Sequence, residues 1–573
     1  MTIQNFKQYV DDACILSNTY EYQNPALAKR GLAFGVAGEM LIDNVTAKIV
    51  VGVPEAFPNC TPTFFLLNQE DFIRLPHVEH DGYICYTHND TLVLDIDNEP
   101  GIIAGCFELV IKTLKDGIDR KNNNEFYNEY EAYWRHLKDV SAMFANIILS
   151  EDVEVIKYSK LKDKEKELFF AVSDTTERMN SYQRIVNVKD NPAQYFNGLY
   201  IPLKKGAEIL IPNFNQELTL EDAKELIFKN VTPYNEKKIR TALSKTKLED
   251  LIVVDFPLPN GNHSLFGLRF KRINHATHPL FTPGCTTNVI PYNIKRVDPE
   301  FMLIRGGNGN SFIDKRVLVI GGGSIGSAIA EELIKAAVVN VDVVDKEKLE
   351  IDNCYRHNCG FRYVNKKKAE AIKEKLTSYY PHSNVNAFNI AIEDAISKKK
   401  IDFSIYDAVV VATGNATVNQ FLMKFFIKEI PGKSVLFSWL DPYGVGGHCL
   451  VSNISESGCY QCLYTNEASH NIASFAAANQ QRSFVKNISG CGSAYVPYGA
   501  LDANQTAILT VRKILDVFAG KETINAVYSW KGNNELFLKE GYNLSERFRQ
   551  TTDQLEAGKS LFHQPKCKLC GKG

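Results

Sequence analysis

Strong charge of either sign is missing from this 573-residue chain: 65 basic residues face 67 acidic ones, the net is −2, and no basic tail or stripe stands out. That balance argues against a general nucleic-acid binder, which needs a positive field. Apolar runs long enough to span a bilayer are also missing, and the opening MTIQNFKQYVDD has no apolar signal core. The expectation is a soluble, cytoplasmic protein without a membrane partner. A disulfide framework is not expected either, because the thirteen cysteines are odd in number and spread over a long chain. Such usage suits reduced thiols, metal ligands and nucleophiles. The length allows about three or four domains with full cores.

What is present centres on residues 315–356, KRVLVIGGGSIGSAIAEELIKAAVVNVDVVDKEKLEIDNCYR. Val317 to Ile320 reads as a buried parallel strand that feeds into Gly321, Gly323 and Gly326. A helix follows with Ile325, Ile329, Leu333, Ile334 and Val338 at three- and four-residue spacing, then a strand, Val341 to Val344, ending in Asp345. The glycines allow a tight turn, close approach of backbone to phosphate, and close packing of helix on strand. This is the pattern of a nucleotide site. Asn353, Arg356 and Lys368 come next, and a dehydrogenase needs no guanidinium and ammonium there. Cleavage of the α-β phosphate bond of ATP does, since charge builds on the leaving pyrophosphate.

In that order the segment resembles the adenylation domain of ubiquitin-activating enzymes and sulfur-carrier adenylyltransferases. The resemblance implies ATP and Mg2+ as cofactors, with Asp345 holding the ribose, Asn353 orienting the phosphates, and Arg356 and Lys368 steadying them. The family usually has an aspartate for magnesium where this chain has Gly414, so Asp345 or a neighbouring acid would have to help. It also implies a homodimer, with Arg296 or Arg305 as the arginine that reaches the partner's ATP site.

At the other end, Pro54, Pro58 and Pro62 force an extended path before Leu75-Pro76-His77-Val78-Glu79-His80-Asp81-Gly82-Tyr83-Ile84-Cys85. Asp81-Gly82 signals a turn, so Cys85 sits just past a bend and within reach of a partner. Phe57-Pro58 and Thr61-Pro62, then Pro76, Val78, Asp81, Gly82, Ile84 and Cys85, resemble the catalytic segment of ubiquitin-conjugating enzymes. Leu75 replaces that family's histidine, and His77 replaces the asparagine that stabilises the oxyanion. Cys106, Cys14 and Cys60 read as core. Tyr127, Tyr130, Tyr133 and Trp134 form a helical stripe that reads as packing.

Residues 151–295 alternate strand-like and helix-like runs with no phosphate loop or paired acids. By analogy with paired activating-enzyme folds, this linker domain is expected to be an inactive adenylation-like companion. Further on, Cys459-x-x-Cys462 and Cys567-x-x-Cys570 offer four thiolates, which suit a closed tetrahedral Zn2+ site of structural type; a redox pair is the alternative. Cys491, between glycines in a polar loop ahead of a long helix, matches the thioester cysteine of activating enzymes.

The expected fold is therefore a multidomain α/β chain. An α+β ubiquitin-conjugating-like domain spans 1–150, and a Rossmann-like adenylation domain with structural zinc spans 296–573. This order of domains resembles the conjugating-activating fusions of bacterial CBASS anti-phage systems, and the Arg356-His357 pair fits that branch. The resemblance implies that the free C-terminus of a CD-NTase is adenylated, carried on Cys491 and then Cys85, and joined to an amine of an acceptor protein or small molecule. A sulfur-carrier adenylyltransferase or an inactive binding scaffold are the rival readings.

Overall fold

The computed structural model describes residues 2–24, 30–87, 92–163, 166–172, 195–208, 211–244, 249–271, 277–282, 287–306, 309, 311–453, 458–465, 472–478, 480, 482–487 and 494–571. The chain divides into two compact units, Met1–Thr175 with Asp190–Arg296, and Val297–Gly573 with Thr176–Lys189. Among the described residues no helix is long and apolar enough to cross a membrane.

The first unit opens with the helix Ile3–Asp12, capped by the Thr2 hydroxyl. An antiparallel meander follows: β1 (Ser17–Glu21), β2 (Leu32–Ile42), β3 (Val45–Pro54) and β4 (Thr63–Leu66), in that spatial order. The helix Glu99–Ile118 lies on it. Asn98 caps that helix, and Ile103, Phe107, Val110 and Leu114 are buried in one cluster with Val36, Ile49, Val51 and Phe64 of the strands. Cys106 is part of this core, but Cys14 is exposed in a left-handed turn after the first helix, contrary to the core reading.

The same unit continues into a closed barrel of β5 (Ser141–Asn146), β6 (Glu154–Asp163), β7 (Lys166–Val172), β8 (Tyr195–Pro202), β9 (Glu249–Pro257), β10 (His263–Lys271) and β11 (Val289–Arg296). The aromatic stripe packs onto it: Tyr130 and Trp134 meet Phe266 edge-on or tilted at 5.0 and 4.9 Å, and the Trp134 indole donates to the Tyr292 carbonyl. Two expectations change here. The first strand of the barrel starts at Ser141, ahead of the boundary expected at 150, because it pairs with β11 at the far end of the domain. The sequence of neighbours β10-β11-β5-β7-β6-β8-β9 mixes antiparallel and parallel pairs, where an adenylation-like companion would carry a parallel sheet.

The second unit is built on a seven-stranded sheet, β14-β13-β12-β15-β16-β17-β20. Its strands are β12 (Arg316–Ile320), β13 (Asn340–Val344), β14 (Asn384–Phe388), β15 (Ala408–Val411), β16 (Ser434–Leu440), β17 (Gly446–Asn453) and β20 (Ala526–Lys531). A small ladder of β18 (Lys486–Asn487) and β19 (Ala494–Tyr495) stands apart. The first five strands of the sheet are parallel to one another, and the last two pairings, β16 with β17 and β17 with β20, are antiparallel. Along β12, Val317 and Val319 enter one core while Leu318 and Ile320 enter the other, as a strand covered on both faces requires. Because β12 has β13 on one side and β15 on the other, the chain leaves it at a topological switch point, where open sheets of this kind form their crevice.

Candidate active sites

At the end of β12 the backbone turns sharply. Gly321 has φ +97°, a conformation that a side chain resists, and a Cβ there would meet the Ala412 carbonyl oxygen at 2.6 Å. A Cβ on Gly326 would lie 1.8 Å from the Gly321 oxygen, so the helix Ser324–Lys335 packs onto the strand only with glycine at 326. Gly323 differs: its Cβ would meet nothing within 4 Å. It is the N-cap of that helix and offers no capping side chain, which leaves first-turn amides open toward an anion.

Gly321, Gly323, Asp345 and Lys368 line a cavity of about 270 Å³ together with Glu393 and Thr413. Asp345 braces the loop, its two carboxylate oxygens accepting the amides of Gly322 and Glu347, each at 2.7 Å. Lys368 is largely buried at the start of the helix Lys368–Tyr379 and donates to Glu347 at 2.6 Å. Gly414 offers no carboxylate and sits in left-handed backbone at φ +67°. Asn415 is spent on capping the helix Ala416–Glu429.

Asn353 and Arg356 are absent from the lining. Asn353 closes a 3-10 turn by accepting the Glu350 amide, and the Arg356 guanidinium lies 4.7 Å over the Tyr498 ring. Tyr498 in turn places its hydroxyl 3.3 Å from Ser324, the first residue of the glycine-loop helix, so Arg356 is tied to the loop through an aromatic ring. The buried His357 donates from Nε2 to the Gly322 carbonyl at 2.7 Å, and burial pushes its imidazole down to about 4. Of the two arginines, Arg296 is buried on β11 with its guanidinium on the His263 carbonyl, whereas Arg305 ends the helix Pro299–Arg305 exposed.

Cys85 lies in the first unit, half-buried after the Asp81-Gly82 turn, and its amide donates to the His77 carbonyl at 2.8 Å. His77 is left-handed, φ +62°, and its ring faces two carboxylates: Nε2 contacts Glu125, and Nδ1 lies 2.5 Å from Glu129. Cys491 lies outside the described residues; the residues flanking 488–493 pair as β18 and β19.

A model of the ThiF family matches residues 302–553, and one of Prokaryotic E2 family B matches residues 33–143. The chain is a fusion of an E2-like domain with a ThiF-type adenylation domain. Over 494 residues, 82% of this chain and 84% of the relative, it is 23% identical to the ATP-dependent ubiquitin transferase-like protein Cap2 of Pseudomonas aeruginosa. The Cap2 of Enterobacter hormaechei is 33% identical over 121 residues, 21% of this chain and 20% of that one. Adenylyltransferase and sulfurtransferase UBA4 of Candida glabrata is 29% identical over 158 residues, 26% of this chain and 34% of that one.

In the ThiF-type domain the four expected metal ligands converge. Cys459 and Cys567 are 3.7 Å apart between sulfurs, Cys462 and Cys570 3.4 Å, and all four sulfurs fall within 4.8 Å of one another. A tetrahedron with Zn–S bonds of about 2.3 Å has edges of about 3.8 Å, close to the two shorter separations, so the donor set suits a zinc ion. Three of the four thiols are buried, and hydrogen bonding to Cys462 together with burial pushes Cys459 strongly up, a cost that a dication would remove. Sequence reasoning missed Tyr498, Glu125 and Glu129. Tyr498 carries no motif, and the two glutamates, one turn apart beside the tyrosine stripe, look like an ordinary solvated face.

Proposed function

We propose that this protein uses ATP to activate the C-terminal carboxylate of another protein and passes the acyl group through thioesters on Cys491 and Cys85 to an amine. The reading makes it an ATP-dependent conjugating enzyme that holds both activities in one chain. The observation that supports it most is the glycine-loop cleft, with the open helix start at Gly323 and with Lys368 and Asp345 on its wall.

A carboxylate oxygen attacks the α-phosphorus of ATP, the bond to the β-phosphate breaks, and pyrophosphate leaves an acyl-adenylate. Lys368 and the helix amides counter the phosphate charge, and Arg356, stacked on Tyr498, adds a guanidinium at the same helix start. Asp345, fixed by two amides, retains lone pairs for the ribose hydroxyls. Magnesium would neutralise the phosphate oxygens, and Glu393, exposed on the wall, is the acid there that has no lysine or amide partner. The Cys491 thiolate attacks the acyl carbon and AMP leaves. The Cys85 thiolate then attacks the new thioester and Cys491 leaves as thiolate. An amine attacks the second thioester, the C–S bond breaks, and the ammonium proton passes to water. Zinc would fix the C-terminus onto the ThiF-type core and takes no step.

The Cap2 relatives and the resemblance to CBASS fusions support a CD-NTase as the protein substrate and anti-phage defence in the cytoplasm as the setting; a homodimer as the working form rests on the pairing of adenylation domains alone. The test is to incubate the full chain with ATP, magnesium and candidate substrate proteins, then locate reductant-sensitive adducts by mass spectrometry. The expectation is adducts on both cysteines, C85S stopping at Cys491, C491S losing both, and pyrophosphate exchange surviving in each variant. Adduct on Cys491 alone after long incubation would remove the E2 half of the relay. Full activity of C85S with a thiolated carrier would point to sulfur-carrier adenylylation.

A further inference from the structure

The ring of His77 has a carboxylate against each nitrogen. Nε2 contacts Glu125 and Nδ1 lies 2.5 Å from Glu129 Oε1. A neutral imidazole carries one N–H and one lone pair, so it could serve only one of these carboxylates and would turn a lone pair toward the other. The arrangement requires the imidazolium. Glu129 is itself held in place, its Oε2 accepting the His77 amide at 3.1 Å and the Tyr133 hydroxyl at 2.8 Å, while Arg74 stacks over Tyr133 at 4.9 Å.

The two contacts are not alike. The Glu125 contact has hydrogen-bond geometry, whereas the Nδ1–H is off the line to Glu129 and finds no aligned partner although the atom is buried. The Cys85 sulfur is the strongest single influence on the charge of the same ring, and the Cys85 amide donates to the His77 carbonyl at 2.8 Å. A charged donor is thus positioned beside the sulfur with one N–H left for a new acceptor.

We propose that Glu125 and Glu129 are positioning residues that hold His77 permanently as an imidazolium, so that at a Cys85 thioester His77 donates Nδ1–H to the oxyanion and cannot act as a base. This rests on the reading of Cys85 as an acyl carrier. Charge balance in the step is simple. The amine attacks, the carbonyl oxygen becomes an oxyanion that receives the hydrogen bond, and the oxyanion collapses to expel the Cys85 thiolate. The His77 proton stays on the ring throughout. The Cys85 sulfur first, then the flanking Glu129 and Glu125 carboxylates, push the imidazole up to about 11 against the opposing effect of burial, so the charge persists across the neutral range.

Diethyl pyrocarbonate tests the charge directly, because it acylates only an imidazole nitrogen that has a lone pair. The full chain would be treated between pH 6 and 9 and the His77 peptide followed by mass spectrometry. At pH 7.5 a pKa of about 11 leaves on the order of one neutral ring in a thousand, so wild-type His77 should react at least 100-fold more slowly than an ordinary histidine. In a C85S background, which removes the sulfur's own pull on the ring, His77 should stay protected, while E125Q/E129Q added there should react within about tenfold of an ordinary histidine, falling off below about pH 6.5, with E125Q alone between the two. Labelling of wild-type His77 with a midpoint near pH 6.5 would overturn the inference. So would the E125Q/E129Q pair in the C85S background still unlabelled at pH 8.5 while exposed histidines react. For the donor role, H77A should slow amine discharge of Cys85 thioester by 10²–10³, with H77N, which restores a neutral donor, within about tenfold of wild type. Equal rates for H77A and H77N would overturn it. The labelling result is readable whether or not Cys85 ever carries an acyl group: an absent Cys85 adduct with His77 still protected condemns the relay, and a reactive His77 with the adduct intact condemns this inference.

Discussion

Around the glycine loop, what faces the cleft is largely backbone: open amides at the start of the Ser324–Lys335 helix, a left-handed turn at Gly321, and an acid whose oxygens are bound to amides of the loop and its neighbour. Around Cys85, what matters is side chain, and it comes from two stretches far apart in the sequence, 77–85 and 125–129. The first construction tolerates no added atom at Gly321 or Gly326, while the second depends on charges that could be removed one at a time without moving the chain. A phosphate is recognised by shape and dipole, which backbone supplies. A thioester oxyanion is a single developing charge, which a placed side chain can meet.

The ThiF-type domain adds a third construction, the four-sulfur cluster, and its removal should be the most damaging change of all. Chelation, or the C567S/C570S pair, should release one zinc per chain and cost this domain about 5 kcal/mol or more, read as lost cooperativity in thermal unfolding with metal content measured in parallel. Unchanged melting would mean that the cysteines close the core without metal.

Next is the contrast between two glycines of one loop. G326A drives a methyl to 1.8 Å from the Gly321 oxygen and should destabilise the domain by about 3 kcal/mol and abolish pyrophosphate exchange. G323A meets nothing within 4 Å, so stability should stay within about 0.5 kcal/mol while KM for ATP rises, because the methyl enters the anion's approach. Normal ATP binding by G323A would break the claim that backbone forms this site.

Acid should also separate the two regions. His357 is buried neutral, with a pKa pushed down to about 4 mainly by burial. Between that value and the usual 6.5 the unfolded chain takes up a proton that the fold refuses. The contribution is therefore complete above about pH 6.5 and fades as pH falls toward 4, by about 3 kcal/mol in all. His77 has the opposite sign: its contribution is complete below about 6.5 and is lost as pH rises through about 11. Denaturant titrations of wild type and H357Q at several pH values would show the acid slope of the ThiF-type domain disappear in the variant. The smallest effect belongs to Y498F, which loses the contact to Ser324 but keeps the ring under Arg356 and should cost about 1 kcal/mol or less. Y498A, which loses both, should raise KM for ATP further.

Several elements were plain in the sequence for local reasons. The apolar run 317–320 is a strand buried on both faces, and the long helix expected after Cys491 spans Ala500–Phe518. The zinc pairs are recognisable because a C-x-x-C turn places two sulfurs on one side by itself. The barrel was not legible, because its closure joins strands about 150 residues apart, such as Ser141 opposite Tyr292, and no local pattern encodes that pairing. Arg296, weighed as a reach to a neighbouring ATP, is instead buried in that barrel.

By itself, then, the sequence determined the turns, glycine contacts and ligand spacings of this protein, since these follow from sterics within a few residues. Only the tertiary structure decided that Glu125 and Glu129 meet His77 and that Tyr498 meets Arg356. Charge and stacking act through space, and which distant side chains come within a few ångströms is fixed by packing that no short stretch of chain contains.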